Sequence, residues 1–225
     1  MFLNFNLLLK NYIHISNIRK LHKPTYKLYK IVNNCYIINL VNIIANLYKL
    51  YKILFLLSKK KFYITVVNTV KLPNLKFIYY FTKFTNSNCL STKWINGTLT
   101  NYTIMQNIII ANSFIAKVCA TQAKKPLSKK LKMLQSKYNF AKYLKNIKLS
   151  KFMFLLNLDS NIPAINECLS KNKFIMGVCD LNFNTMLADL NIHGNNINHK
   201  SLNFFIKFLI TPIIKGSYIN LYNKR

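Results

Sequence analysis

No aspartate or glutamate occurs between Met1 and Leu158; the only four carboxylate side chains are Asp159, Glu167, Asp180 and Asp189. Against them stand 33 lysines and arginines, for a formal net charge of +29. Such a chain cannot rest its fold on internal ion pairs. Apolar burial must hold it together, and a polyanion must relieve its self-repulsion. The long stretch without acids also lacks the paired carboxylates that acid–base catalysis and carboxylate metal sites require. Nucleic acid or an anionic membrane surface is the partner chemistry implied.

A core is within reach. The 225 residues suit one domain, or one domain with an insertion, and 52% of them are apolar. A disordered basic tail would be apolar-poor. Arginine occurs only at Arg19 and Arg225. Lysine is a flexible point charge suited to phosphate, whereas arginine makes the planar bidentate contacts that read guanine. Lys, Asn, Ile, Phe and Tyr are abundant while Gly (four) and Pro (five) are scarce, as an A/T-rich coding sequence gives. That bias explains lysine over arginine. It does not explain the missing acids, whose codons tolerate A/T richness.

Cys35, Cys89, Cys119, Cys168 and Cys179 are odd in number, and no two form a C-x-x-C pair. The spacing argues against a disulfide framework or zinc ribbon and for buried free thiols. No run reaches the roughly 18 uninterrupted apolar residues of a membrane helix, so no integral membrane segment is expected. The nearest run, Tyr36 to Leu57, carries Asn39, Asn42, Asn46, Lys49 and Lys52. The opening MFLNFNLLLK has neither the cationic leader of a secretory signal nor the Arg and Ser of an import presequence. A protein made inside an organelle needs neither.

Along the chain, residues 1–35 read as a basic extension, with Arg19, Lys20, Lys23, Lys27 and Lys30 around Pro24. Tyr36 to Leu40 is of strand type. Ile43, Ile44, Leu47, Leu50, Tyr51 and Leu54 recur at helical spacing, closed by Lys59 to Lys61. Phe62–Val67 reads as a buried strand, and 72–84 as helical. A helix over 104–118 has its apolar stripe at Ile104, Ile108, Ala111, Ile115 and Val118. A second, from Pro126, has a coiled-coil seam at Leu127, Leu131, Leu134, Tyr138 and Ala141. Lys129, Lys130, Lys132, Lys137, Lys142 and Lys145 lie on its other faces. Strands at 152–156 and 174–179 flank a helix at 162–170, and a last helix spans about 198–210. Buried strands alternating with helices predict an α/β fold: a parallel sheet with helices on both faces. The expected organisation is a basic extension over 1–35, an α/β domain over 36–212 with an antiparallel helical hairpin inserted at 104–148, and a tail over 213–225.

Gly97, Gly177, Gly194 and Gly216 are isolated, so no Gly-rich phosphate loop is present and no nucleotide cofactor is expected. Asp180 follows a strand end with Cys179 before it, a place where α/β enzymes put catalytic groups. A capping aspartate and a core cysteine account for the pair more simply, and no catalytic residue or metal ligand is assigned. The most distinctive string is Lys93 to Asn101, KWINGTLTN. Asn96-Gly97 permits a positive-φ turn beside Trp94, the only tryptophan, and Thr100 or Asn101 can cap the following helix.

Trp94 to Asn101 resembles the W-L-G-G-x-L-T-N signature of the bacterial-type small-subunit ribosomal protein S2 family. Other landmarks follow in that family's order. Tyr36 to Leu40 resembles its H-I-I-N-L strand. Asp159, Ala164, Ile165 and Glu167 resemble its D-x-x-x-x-A-I-x-E helix start. Asp180 to Asn182 resembles its D-T-N turn, and Ile192 to Asn195, with Gly194, its I-P-G-N loop. Departures are Asn96 for the first glycine of the pair, Leu181 for Thr, His193 for Pro and Asn196 for an acid. The family's G-A-R-N stretch is not recognisable at Lys30–Asn34.

The resemblance implies a flavodoxin-like domain with a protruding coiled-coil hairpin. It also implies a non-catalytic place in the small ribosomal subunit, against ribosomal RNA and neighbouring ribosomal proteins. Asp159, Glu167 and Asp180 are expected to form capping and turn hydrogen bonds, and Trp94, Asn96, Gly97, Leu99, Thr100, Asn101, Asp180, Asn182, Gly194 and Asn195 to be structural landmarks. Candidate RNA contacts are Arg19, Lys20, Lys23, Lys27, Lys30, Lys93, Lys124, Lys125, Lys129, Lys130 and Lys132. The A/T-like composition favours an organellar ribosome, a mitochondrial one over a plastid one. The alternative is a peripheral basic protein on an anionic membrane surface.

Overall fold

Four consecutive β-branched or apolar residues with no exposed side, Ile64–Val67, mark an interior strand of the sheet. The computed structural model describes residues 3–16, 27–33, 35–70, 85, 87–90, 94–121, 128–138 and 150–222. Within them lie α1 (Phe5–Lys10), β1 (Ile15–Ser16), β2 (Leu28–Val32), β3 (Cys35–Ile38), α2 (Leu40–Lys59), β4 (Ile64–Val67) and β5 (Ser87–Leu90). There follow α3 (Tyr102–Thr121), α4 (Lys129–Tyr138), β6 (Phe152–Leu155), α5 (Ile162–Ser170), β7 (Phe174–Cys179), β8 (Leu190–His193) and α6 (His199–Tyr222).

Strands β4 to β8 form one parallel sheet in the order β5-β4-β6-β7-β8. Numbered from its own first strand, that order is 2-1-3-4-5, the flavodoxin-like arrangement expected from the resemblance. On one face α2 and α6 pack on each other and on the sheet through Leu47, Leu50, Leu54, Phe205, Phe208 and Leu209. On the other, α5 and the start of α3 enclose Trp94, Leu99, Met105, Ile165 and Cys168. Helices therefore cover both faces.

Helix α2 starts where Asn39 leaves the extended region and its Oδ1 accepts the Val41 N–H at 3.0 Å. It buries Ile43, Leu47, Leu50, Leu54 and Leu57, a four–three alternation that keeps one stripe on the sheet. Lys59 and Lys60 close it at the dipole's negative end.

The packing departs from the expected boundaries at both ends. The described residues before β3 do not stand apart from the domain: Leu8 and Ile13 are fully buried, and β1 and β2 pair antiparallel with β3 in a small second sheet. At the other end α6 continues through Pro212 to Tyr222 instead of stopping near 210. The proline removes one N–H from the helix ladder. Burial of Pro212, Ile213 and Gly216 outweighs that loss. A Cβ on Gly216 would lie 2.7 Å from the Phe55 carbonyl oxygen, so this glycine lets α6 cross α2 closely. Ser58 Oγ fastens the crossing by donating to the Ile213 carbonyl at 2.6 Å.

The hairpin is present as α3 packed on α4. Helix α4 begins at Lys129, with Ser128 Oγ accepting the Leu131 N–H, rather than at Pro126. Leu131 and Leu134 sit half-buried in the seam. On α3 Met105 is buried, whereas Ile104, expected in the stripe, is 56% exposed. The predicted helix at 72–84, seam residues Leu127 and Ala141, and Lys142 and Lys145 lie outside the described residues.

The uninterrupted run length read from the sequence and the mean hydropathy of the long helices differ. By length and composition α2, α3 and α6 are each apolar enough to cross a membrane. The interrupting Asn and Lys residues do not bring their mean hydropathy below that threshold. In this fold α2 and α6 are used as sheet-covering helices.

Candidate nucleic-acid interface

The loop before α3 is organised by one distant carboxylate. Glu167, buried on α5, accepts at Oε1 from Trp94 Nε1 (3.1 Å) and the Gly97 N–H (2.8 Å). Its Oε2 accepts from the N–H groups of Leu99 (2.8 Å) and Thr100 (3.3 Å). Four donors on one carboxylate fold residues 94–100 around it. Trp94 and Leu99 become core side chains, and α3 leaves this anchored base, the Asn101 carbonyl taking the Met105 N–H. Gly97 has φ +91°, so the positive-φ position of the turn falls on the glycine and not on Asn96. Asn96 and Thr100 are exposed at the loop surface.

A second polar knot closes the carboxyl end of the sheet. Asp159, after β6, accepts the Asp180 N–H at 2.9 Å and a hydrogen bond from Asn196 Nδ2. Asp180, after β7, accepts from Ser16 Oγ and from the Leu181 N–H at 2.8 Å. These bonds tie the amino-terminal sheet to the main one. At the end of β8, His193 Nδ1 donates to the Asp180 carbonyl (3.2 Å), and its Nε2 accepts from Lys27 Nζ (2.8 Å). Burial, and then the Lys27 charge, hold His193 down to about 4, so the ring is neutral near pH 7. Burial pushes the Cys179 thiol well up, and that of Cys168 up to about 12. Cys179 and Asp180 thus have structural environments, and Lys27 faces inward to His193.

Gly194 has a packing reason: a Cβ there would lie 2.8 Å from Phe205 Cζ. Asn195 Oδ1 accepts the N–H groups of Ile197 and Asn198, turning the chain into α6. Asn182 is half-buried in the turn after Asp180. In a flavodoxin-like sheet the strand-order reversal lies between β4 and β6, the usual ligand crevice. Here the two Asn161 Nδ2 hydrogens go to Thr69 Oγ1 and the Asn157 carbonyl, closing that crevice with the chain's own hydrogen bonds.

All four carboxylates accept backbone N–H groups; for Asp189 the donor is Ile175, at 2.7 Å. The basic residues are arranged oppositely. Lys30, Lys129, Lys130 and Lys132 are exposed, the last three along α4. Arg19, Lys20, Lys23, Lys93, Lys124 and Lys125 lie outside the described residues. The sequence did not reveal the pairing of Lys27 with His193, 166 residues away, or the seat of Ser16 on Asp180. No local spacing rule connects such distant partners. The spacing from Asp159 to Glu167 was the available signal for the Glu167 anchor.

A family model described as Ribosomal protein S2 matches residues 8–216. The small ribosomal subunit protein uS2 of Endomicrobium trichonymphae is 26% identical over 217 residues, covering 94% of this chain and 80% of that protein. That of Mycoplasmopsis synoviae is 31% identical over 138 residues, 58% of this chain and 46% of that protein. The family match takes in both polar knots, the hairpin and all but the last turns of α6, and on it the chain belongs to the ribosomal protein S2 family.

Proposed function

We propose that this protein is a structural constituent of the small subunit of an organellar, mitochondrial, ribosome, holding ribosomal RNA and neighbouring ribosomal proteins. One observation carries the RNA reading: the chain bears +29, while each of its four carboxylates accepts a backbone N–H within its own fold. What is left to face a partner is lysine, which suits phosphate and ribose and holds folded RNA by shape. The basic face of α4 is the leading candidate contact, with Lys129, Lys130 and Lys132, joined by Lys30 on β2. Exposed Ile110 and Phe114 on α3 are the type of surface a neighbouring protein covers. The S2 family is one of ribosomal structural proteins, and no turnover is proposed. The organellar assignment rests on the A/T-like composition.

The test is a salt titration of binding to small-subunit ribosomal RNA. Each phosphate neutralised contributes roughly 0.7–0.9 log units of affinity per tenfold change in salt. The expected result is a steep slope, reduced by about two in K129Q/K130Q. Absent or salt-insensitive binding by folded protein refutes the RNA reading. Fractionation that finds the chain in cytosolic ribosomes and not in mitochondria refutes the organellar one. The membrane alternative requires recovery with anionic vesicles instead of ribosomal particles.

A further inference from the structure

A recess of about 420 Å³ lies between α1 and the first half of α6, away from the hairpin. Lys10 comes from α1, and Lys200 and Lys207 from α6. All three side chains are exposed. Lys200, Asn203 and Lys207 follow the spacing i, i+3, i+7, which puts them on one face of the helix. That face looks onto α1, so two chain segments almost 200 residues apart in sequence converge their ammonium groups on one space. No carboxylate lines it.

The rest of the lining is not that of a plain charged surface. Phe204, 3% exposed and packed against Phe205 and Phe208, closes the floor of the recess. Asn11 and Asn203 add amides. The Asn11 Nδ2 donates to the Leu7 carbonyl at 2.7 Å, which fixes the amide and leaves its oxygen to accept. At the rim Lys200 Nζ stands 5.2 Å from the centre of the exposed Tyr12 ring. Tyr12 itself is held at φ +55°, in the left-handed region that a bulky residue rarely adopts. Cations for phosphate, the exposed Tyr12 ring for a base, and amides for polar edges together match a nucleotide. An acidic peptide would use the lysines and leave the Tyr12 ring and the amides without a role.

We infer that this recess receives one unstacked nucleotide of ribosomal RNA, its phosphate held by Lys200 and Lys207 and its base against the exposed Tyr12 ring at the rim. The inference rests on the RNA-binding reading above and extends it to a second face of the domain.

The test uses the full chain and a small-subunit ribosomal RNA transcript. K200Q/K207Q is compared with K200R/K207R, which keeps the charge, and with the hairpin variant K129Q/K130Q. The expected result is a salt slope lower by about two in K200Q/K207Q, so that raising salt from about 50 to 200 mM costs it about tenfold less affinity than the parent. The arginine variant keeps the parental slope. The transcript also protects Lys10, Lys200 and Lys207 from acetylation, read by mass spectrometry. Two controls use AMP alone and vesicles of phosphatidylcholine with phosphatidylglycerol. An unchanged slope in K200Q/K207Q, with K129Q/K130Q weakened, overturns this inference and leaves the RNA-binding reading standing. Protection by AMP or vesicles but not by the transcript overturns it in favour of a free nucleotide or a lipid headgroup. Loss of RNA binding in the parent itself overturns both.

Discussion

Replacing Glu167 with glutamine keeps the side chain's shape and removes its charge, which isolates what the carboxylate does. In the native loop two donors converge on each oxygen: Trp94 Nε1 and the Gly97 N–H on one, the Leu99 and Thr100 N–H groups on the other. A glutamine amide has one oxygen and one NH2 group. Whichever way it turns, two of the four donors face another donor. Hydrogen bonds to a charged acceptor contribute about 1.5–3 kcal/mol each, and a buried donor left unpaired costs about 1–3 kcal/mol. Rotation of the loop toward water recovers part of this. The expected destabilisation of E167Q is therefore about 2–5 kcal/mol, a large share of a typical domain stability of about 5–15 kcal/mol. Urea denaturation measures it. Trp94 is the only tryptophan and is 7% exposed, so its emission reports the loop directly. We expect a red-shifted native spectrum in E167Q while far-ultraviolet circular dichroism still shows the sheet. A change below about 0.5 kcal/mol with unshifted emission would refute the assignment of Glu167 as the anchor of the hairpin base.

Other expectations follow from single contacts. His193 is held near 4 against an ordinary 6.5, so the unfolded chain takes up its proton first as pH falls. Its contribution to stability is whole above about pH 6.5 and is lost down to about pH 4, an effect of about 3 kcal/mol that H193Q should remove; equal pH dependence in parent and variant contradicts this. G216A places a Cβ against the Phe55 carbonyl and should lower the urea midpoint by an amount equivalent to about 1–3 kcal/mol. G97A must hold alanine at φ +91° and should cost about 1–2 kcal/mol; equal stability of parent and variant would show that the turn relaxes freely. In alkylation of the native protein, half-buried Cys35 and Cys119 should react well before buried Cys168 and Cys179, whose thiols are also pushed up. Simultaneous loss of all these thiols would argue against the described core.

The parallel sheet was legible because strands covered on both faces read as unbroken apolar runs, as at Phe152 to Leu156 and Phe174 to Cys179. The α2 stripe was legible for the same kind of reason, its period being that of a helix with one buried face. The amino-terminal segment was not. Leu8 and Ile13 are fully buried, but they are separated by lysine, asparagine and tyrosine and show neither period. For Ile13 the partners are Gly194, which packs close to it, and Asn195, whose N–H donates to the Ile13 carbonyl; no local pattern encodes either. The reach of α6 past Pro212 was not legible, because the proline's local cost is overridden by contacts with α2 that only the fold brings together. At the candidate interface the surviving carboxylates pointed to structural hydrogen bonds, and each accepts a backbone N–H. The inward turn of Lys27 could not be read, since lysines facing RNA and lysines facing a neutral histidine look alike in sequence.

The central claim is that this S2-family chain works as a lysine-faced part of a small ribosomal subunit. Sedimentation of an epitope-tagged full chain from mitochondrial lysate tests it most directly, with ribosomal RNA measured in each fraction. The account predicts that the chain migrates with the small-subunit peak, co-purifies small-subunit RNA and moves to the top of the gradient after ribonuclease treatment. A chain that stays at the top without treatment, or that pellets with membranes and resists ribonuclease, contradicts it.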